Sequence, residues 1–288
     1  MNAAEFQAWL TDPPGAGGRR PLVMGVLNVT PDSFSDGGRF LDPGRAVEQA
    51  LHMTDQGADL IDVGGESTRP GSERVPADEQ LRRVLPVITA LTARVPAVLS
   101  IDTTRSEVAR AAVGEGAAIV NDISAGRDDP AIFGVVARAP GTALVLMHMQ
   151  GTPRTMQVSP TTYQDVTGEV IAFFNERIDA ATRAGVDRRL ILLDPGIGFG
   201  KTVEHNLELL RRTPELVALG HPVVIGTSRK GFIGIVTGQT DPAQRVFGTA
   251  ATIAWSVANG AAVLRVHDVG PMKQVATMVT AIQSGVPS

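Results

Sequence analysis

Short apolar runs recur along the 288-residue chain, and each is followed by a polar turn and then by a stretch of helical periodicity. The runs lack strict alternation, and continuous apolar runs are typical of strands buried on both faces of a parallel sheet. We therefore predict eight strands: VMGVLN at 23–28, DLIDVG at 59–64, AVLSID at 97–102, AIVND at 118–122, ALVLMH at 143–148, LILLD at 190–194, PVVIGTS at 222–228 and AVLRVH at 262–267.

The segments between the strands follow the period of an amphipathic helix. From Leu81 to Leu91 the apolar residues fall on one face, and the charged residues between them face outward. Pro86 interrupts this segment and predicts a kink or an early end of the helix. Four segments close on a glycine before the next strand, which is the position of a left-handed helix terminator: Gly57, Gly116, Gly185 and Gly260.

Repeated strand–helix units form either an open, doubly wound sheet or a barrel. An open sheet gathers its functional groups at one switch point, whereas a barrel brings every strand end around one mouth. Hydrogen-bonding side chains follow the C-terminal end of each predicted strand here. We therefore predict an α/β fold of the (β/α)8 TIM-barrel type, with residues 1–20 as an N-terminal peripheral segment and residues 21–288 as a single barrel domain.

Composition narrows the class of function. Hydrophobic residues make up 43% and charged residues 19%, as in globular domains, and the net charge of −4 argues against nucleic-acid and anionic-membrane binding. The sequence has no cysteine, which excludes disulfides, thiolate metal sites and cysteine nucleophiles. The first twenty residues lack the apolar stretch of a secretory signal. The apolar window at 248–266 should divide into a helix, a turn at Asn259-Gly260 and a strand, rather than cross a membrane.

Two motifs suggest chemistry that their details do not support. DPGIGFGKT at 194–202 is close to a phosphate-binding loop, but Pro195 replaces the first Walker glycine and Lys201 replaces the third dinucleotide-motif glycine. The glycines more simply let the backbone pass close to a ligand beside Asp194. His148 raises the question of a metal site, but no pair of histidines has ligand spacing on one element.

Asp102, Asn121 and Asp194 end three different strands. Each alone could cap the following helix. Together in one apolar-walled mouth they would accept hydrogen bonds from a flat heterocycle that carries amidine-like N–H groups, because buried carboxylates need donors. Basic groups at other strand ends suit a phosphate: Lys230, Arg265 and His267.

Eight segments together resemble the dihydropteroate synthase family: GVLNVTPDSFSDGG (25–38), DVGGESTRPG (62–71), SIDTTR (100–105), NDIS (121–124), LMHMQGTP (146–153), DPGIGFGK (194–201), GTSRKGFIG (226–234) and RVHDV (265–269). They occur in the family's order from about residue 21 to the end of the chain. The resemblance implies a transferase of folate biosynthesis that joins 6-hydroxymethyl-7,8-dihydropterin diphosphate to p-aminobenzoate by dissociative substitution. The products are 7,8-dihydropteroate and diphosphate.

The resemblance also implies a role for each site residue. Asp194 would pair with the pyrimidine edge of the pterin in a pocket formed by Asp102, Asn121, Met147, Asp194, Phe199, Gly226 and Lys230. The diphosphate would lie against Asn28, Thr68, Arg265 and His267, with Mg²⁺ held by Asn28. p-Aminobenzoate would contact Phe34, Thr68, Arg69, Pro70, Ser228 and Lys230. The catalytic groups would be Asp102, Lys230, Arg265 and His267, with Asp102 stabilising a cationic intermediate. Loops at 29–39 and 65–74 would close over the site.

The family also implies competitive binding of sulfonamides, a cytoplasmic location and a homodimer formed through the last helices. Two alternatives stay open. A corrinoid methyltransferase module that binds methyltetrahydrofolate would share Asp102, Asn121 and Asp194, but its family lacks the TPDSFSDGG and SRKGF segments. A non-catalytic paralogue would bind pterins without making product.

Overall fold

The computed structural model describes residues 1–11, 19–30, 43–67, 71–151 and 162–285. Its strands are β1 (Leu22–Asn28), β2 (Leu60–Gly64), β3 (Val98–Asp102), β4 (Ile119–Asp122), β5 (Ala143–Met147), β6 (Ile191–Asp194), β7 (Val224–Ile225) and β8 (Val263–Val266). All pair in parallel, in the order β6-β5-β4-β3-β2-β1-β8-β7. A parallel bridge between Leu193 and Val223 brings β6 beside β7 and nearly closes the sheet. The predicted (β/α)8 barrel is confirmed.

Helices cover the outside of this sheet. Within the described ranges they are α1 (Ala3–Thr11), α2 (Pro43–Asp55), α3 (Ala77–Thr92), α4 (Ser106–Gly114), α5 (Ala131–Ala137), α6 (Val166–Arg183), α7 (Val203–Arg211), α8 (Thr213–Val217), α9 (Gly231–Thr237), α10 (Val246–Ala258) and α11 (Val269–Ser284), with short 3₁₀ turns at Arg188–Leu190 and Pro242–Arg245. The four helix-ending glycines all have positive φ, between 90° and 108°, as predicted.

The helix α3 differs from the sequence expectation at Pro86, because it continues through the proline to Thr92. The predicted early end is therefore wrong. A proline inside a helix costs about 3 kcal/mol. Val84, Val87 and Ile88 are fully buried on the same helix, and each such side chain contributes roughly 1.5–3 kcal/mol. Packing therefore outweighs the local cost.

The barrel has two apolar cores, one outside the sheet and one inside it. The larger core lies between the strands and the helices, and the smaller one fills the barrel interior with residues from the first half of each strand, among them Leu22, Leu60 and Val98. Phe6 and Leu10 of α1 join the inner core and are buried. Helix α1 thus covers the N-terminal end of the barrel, and the polar groups lie at the other end.

No helix in the described ranges is long and apolar enough to cross a membrane. The apolar window at 248–266 contains most of α10, a turn at Asn259–Gly260 and β8, as the sequence predicted.

Candidate active site

The C-terminal ends of the strands surround a cavity with about 440 Å³ of empty space, part of it open to solvent. Its lining contains the whole predicted pterin pocket together with further predicted residues: Asp102, Asn121, Met147, Asp194, Phe199, Gly226, Ser228, Lys230, Arg265 and His267. Apolar residues that the sequence did not single out complete it: Val26, Ile123 and Ile197.

The remaining predicted site residues lie beside the cavity or outside the described ranges. Asn28 ends β1 next to Gly64, where a Cβ added to that glycine would lie 3.6 Å from the Asn28 Oδ1 atom and 3.6 Å from the Asp102 Cβ atom. Asn28 is therefore near the cavity without lining it. Outside the described residues lie Phe34, Thr68, Arg69 and Pro70, together with most of the first expected loop.

A buried charge network joins four strands under the cavity. The guanidinium of Arg265 on β8 donates from Nε to Asp62 Oδ2 on β2 at 2.7 Å, and from Nη2 to Asp102 Oδ2 on β3 at 2.8 Å. Asn121 on β4 donates from Nδ2 to the same Asp62 Oδ2 at 2.9 Å. Asp102 and Arg265, which the sequence assigned separately to a heterocycle and to a phosphate, are thus direct partners.

This network contains two carboxylates for one guanidinium. Burial raises the pKa of Asp102; the positive charge of Arg265 opposes that change and the negative charge of Asp62 reinforces it. Burial alone would lower the pKa of Arg265, but Asp62 and Asp102 raise it above its usual value. Arg265 therefore stays charged and available to an anion in the cavity.

Asp194 and Lys230 face the same cavity with different surroundings. Asp194 is buried and accepts a hydrogen bond on Oδ1 from the backbone N–H of Gly196 at 2.7 Å. Burial raises its pKa, and the cations Lys230 and Arg265 oppose this. Lys230 lies with Nζ 3.9 Å from the ring centroid of Phe199, and burial lowers the pKa of its ammonium to about 8.

His267 is held by Ser228. The Ser228 hydroxyl oxygen accepts the backbone N–H of His267 at 3.1 Å and lies 3.1 Å from its Nδ1 atom. Burial, with Arg265 adding to its effect, lowers the pKa of His267 to about 4. The imidazole is therefore neutral near pH 7. If the Ser228 hydroxyl donates to Nδ1, the other ring nitrogen carries a proton to donate.

The segment after β6 is shaped by glycines and by a buried lysine. Gly196, Gly198 and Gly200 have φ of 64°, 80° and 62°, in the left-handed region. Lys201 Nζ donates to the carbonyl oxygens of Gly196 at 3.1 Å, Phe199 at 3.1 Å and His148 at 3.3 Å. From the sequence, Lys201 served only to exclude a dinucleotide-binding motif. A lysine in an apolar, glycine-rich segment was the available signal of its role.

Two histidines outside the cavity, His148 and His205, have packing and capping roles in the fold. His148 Nδ1 lies 3.0 Å from Lys201 Nζ, and its ring packs edge-on against Phe173. His205 forms a reciprocal cap with Thr202 at the start of α7. In the described ranges no group of three or more histidine, cysteine, aspartate or glutamate side chains is arranged to hold a metal ion.

We expect Gly196→Ala to destabilise the fold more than Gly220→Ala. Both glycines have positive φ, but a Cβ at Gly196 would collide with the carbonyl oxygen of His148, whereas no atom lies within 4 Å of one at Gly220. Gly220→Ala should cost about 1–2 kcal/mol from backbone conformation alone, and Gly196→Ala should cost more and weaken ligand binding. Chemical denaturation of both variants measures the difference, and equal losses would contradict the steric argument.

Comparison with known proteins gives one consistent result. The family described as pterin binding enzyme matches residues 24–267. The dihydropteroate synthase of Synechocystis sp. is 49% identical over 267 residues, which cover 92% of this chain and 91% of that protein. The solved structure of Xanthomonas albilineans dihydropteroate synthase with 4-aminobenzoic acid is 48% identical, with a TM-score of 0.86 over 92% of this chain and 94% of that one. The same enzyme in complex with 7,8-dihydropteroate gives a TM-score of 0.82 at 45% identity, again over 92% and 94% of the two chains. The Yersinia pestis dihydropteroate synthase with a sulfonamide drug gives 0.86 at 42% identity, over 92% and 95%.

Proposed function

The chain belongs to the pterin-binding enzyme family and, within it, to the dihydropteroate synthases, and from this premise we propose how its own residues catalyse the condensation. The substrates are 6-hydroxymethyl-7,8-dihydropterin diphosphate and p-aminobenzoate. The bond between the pterin methylene carbon and the diphosphate oxygen breaks, and a carbon–nitrogen bond forms to the amine of p-aminobenzoate. That nitrogen releases one proton, and the products are 7,8-dihydropteroate and diphosphate.

The observation that carries the pterin assignment is the meeting of Asp194, Asn121 and Lys230 in one cavity. The pyrimidine edge of a pterin presents adjacent N–H donors, and an ionised Asp194 accepts two of them in parallel. Burial raises the pKa of Asp194, whereas the hydrogen bond from Gly196 and the cations Lys230 and Arg265 favour its ionised form. Lys230 donates toward the carbonyl side of the ring, Asn121 contacts the rest of it, and the lining of Met147 and Phe199 covers its apolar faces.

Arg265 and His267 bind the diphosphate and stabilise its departure. Arg265 stays charged, and His267 serves as a neutral donor, so negative charge on the leaving group meets groups that are already oriented. The carboxylate of Asp102 lies beside Arg265 and would stabilise positive charge at the pterin methylene group. No strong base is needed at the amine, since the electrophile forms first.

Mg²⁺ fits this arrangement as a cation shared with the substrate. Asn28 would contribute an amide oxygen at the end of β1, and Mg²⁺ commonly takes one or two protein oxygens together with phosphate oxygens and waters. When bound, the ion would neutralise charge on the diphosphate.

The p-aminobenzoate site is proposed at Ser228 and Lys230, with contributions from Phe34, Thr68, Arg69 and Pro70. Sulfonamides are proposed to compete there, as a relative's complex with a sulfonamide drug supports.

The test is incubation of the protein with the dihydropterin diphosphate, Mg²⁺ and p-aminobenzoate, with chromatographic detection of dihydropteroate and of diphosphate. Equal amounts of the two products are expected, with loss of both when EDTA replaces Mg²⁺. Pterin binding without product would identify a non-catalytic paralogue instead. The relatives' names give no support to the corrinoid methyltransferase alternative.

A homodimer is proposed through the last helices, and exposed apolar side chains support it. They lie on α9, α10 and α11: Ile235, Val236, Phe247, Trp255, Met278 and Ile282. Phe247 is 85% exposed, and the three helices contact one another in chain order; large apolar side chains exposed on neighbouring helices point to an interface. The absence of cysteine in turn supports a cytoplasmic location.

We expect Phe247→Glu to convert the dimer into monomers, because a charge placed in an apolar interface loses its hydration. Sedimentation equilibrium measures the change. Ala172→Glu, which adds the same charge to an exposed position on α6, should leave the dimer intact. A dimer that persists in the Phe247 variant would place the interface elsewhere.

A further inference from the structure

Asp62 is the most deeply buried acid of the charge network, and it does not line the cavity. It lies in β2 with no exposed surface. Its Oδ2 atom accepts hydrogen bonds from both Arg265 Nε and Asn121 Nδ2. The strand neighbours of β2 are β1 and β3. Asp62 therefore reaches past both of them, to β8 on one side and to β4 on the other.

This contact restricts an otherwise flexible side chain. An arginine has five N–H donors on a long, rotatable stem. Asp62 occupies the Nε donor and Asp102 occupies one Nη2 donor, which fixes the plane of the guanidinium. The other donors remain for an anion. A phosphate ligand that meets a preoriented arginine loses less conformational entropy on binding.

Breaking the contact between Arg265 and Asp62 would be energetically costly. Among the described residues Asp62 Oδ1 has no hydrogen-bond partner, so the carboxylate interacts with the network through Oδ2. Separation of Arg265 from Asp62 would leave a buried carboxylate without its cation, which is strongly unfavourable. Arg265 therefore keeps its orientation in the free protein and after diphosphate leaves.

We propose that Asp62 is a positioning residue that fixes Arg265 for the diphosphate and Asn121 for the pterin ring at the same time. The proposal rests on the proposed function of those two residues. It adds a group that touches neither substrate, and it connects the two halves of the pterin diphosphate site through one oxygen atom.

The first test is Asp62→Asn, which keeps the shape and removes the charge. We expect the KM and the dissociation constant for the dihydropterin diphosphate to rise roughly 10- to 100-fold, the cost of misplacing an orienting group. The KM for p-aminobenzoate should not change. Affinity for the pterin alcohol, which lacks the diphosphate, should fall less. Ser100→Ala is the matched control, since Ser100 is buried, is in register with Asp62 on β3, and makes no side-chain hydrogen bond in the described part of the chain.

The second test is a double-mutant cycle with Arg265→Ala. The diphosphate-dependent part of binding is the difference in affinity between the dihydropterin diphosphate and the pterin alcohol. Asp62→Asn should weaken this part in the wild-type background but have no further effect on it when Arg265 is absent, whereas binding that depends on Asn121 should weaken in both backgrounds. Asp62→Asn should also raise the unfolding midpoint of Arg265→Ala, because it removes one of two carboxylates left without a cation. This comparison uses the double variant, so it remains informative if Asp62→Asn alone folds poorly.

Additive effects on the diphosphate-dependent part of binding, or Asp62→Asn with wild-type affinity for the dihydropterin diphosphate, would overturn the positioning role. If the wild-type protein makes dihydropteroate, either of these results leaves the proposed function intact. A wild-type protein that makes no dihydropteroate would reject the function instead, and the binding cycle would still decide the role of Asp62.

Discussion

Replacement of Asp194 by alanine is expected to abolish measurable binding of the dihydropterin diphosphate while the barrel remains folded. The carboxylate is the acceptor for two donors of the pyrimidine edge, and both would be buried without a partner in the variant. Binding sites in which such buried polar groups lose their partners lose affinity by about 10³-fold or more. The structural loss is smaller, since Asp194 makes one backbone hydrogen bond to Gly196 and its charge is itself disfavoured by burial.

Calorimetric titration measures the binding, and thermal unfolding checks the fold. Asp194→Asn is the sharper comparison, because it retains an acceptor for Gly196 and replaces the second oxygen with a donor that opposes the pterin. It should bind as poorly as the alanine variant. Asp179→Ala, at an exposed position of α6, should bind like the wild type. Wild-type affinity in either Asp194 variant would remove the residue from the pterin pocket.

Replacement of Arg265 by alanine is expected to lower the rate of bond cleavage more than any other single change. Loss of one preoriented charge donor costs roughly 10²- to 10³-fold in turnover. The capture of p-aminobenzoate should be little affected, because Ser228 and Lys230 remain. The variant should also lose stability, of the order of 3–5 kcal/mol for a buried ion pair broken on one side. Protonation of Asp102, whose pKa is already raised, would recover part of this.

Single-turnover kinetics, with diphosphate release followed at saturating p-aminobenzoate, separate cleavage from capture. Arg229→Ala is a useful companion, since Arg229 pairs with Asp268 at 2.6 Å and lies next to the site without lining the cavity. Arg229→Ala should disturb the segment that carries Lys230 and should lower the rate of bond cleavage less than Arg265→Ala does. Equal cleavage rates with and without Arg265 would exclude it from the mechanism.

Sequence patterns predicted the barrel because each strand is a separate apolar run, and because strand ends in a parallel barrel share one mouth. Asp102, Asn121, Asp194, Arg265 and His267 were accessible to that reasoning, since each stands at or near such an end. The strand β7 was predicted too, but its bounds were not, because the predicted run at 222–228 continues past Ile225, where the chain leaves the sheet. The apolar composition of the run does not show where the chain leaves the sheet.

Asp62 and Lys201 show a second limit. Asp62 was visible as a polar residue of β2, but a run buried on both faces does not tell which face a side chain takes. Lys201 receives its role from three carbonyl oxygens that only the folded backbone brings together. Both are buried charges whose partners lie far away in the sequence or belong to the main chain, so residue identity alone is insufficient.

The segment Gly196–Lys201 has a consequence for ligands that bind beside it. Positive φ at three glycines and a lysine committed to main-chain oxygens leave few substitutions that preserve its shape. A compound that draws its affinity from this backbone and from Asp194 would contact positions where escape mutations carry a folding cost. The protein could evade such a compound only by damaging its own substrate site.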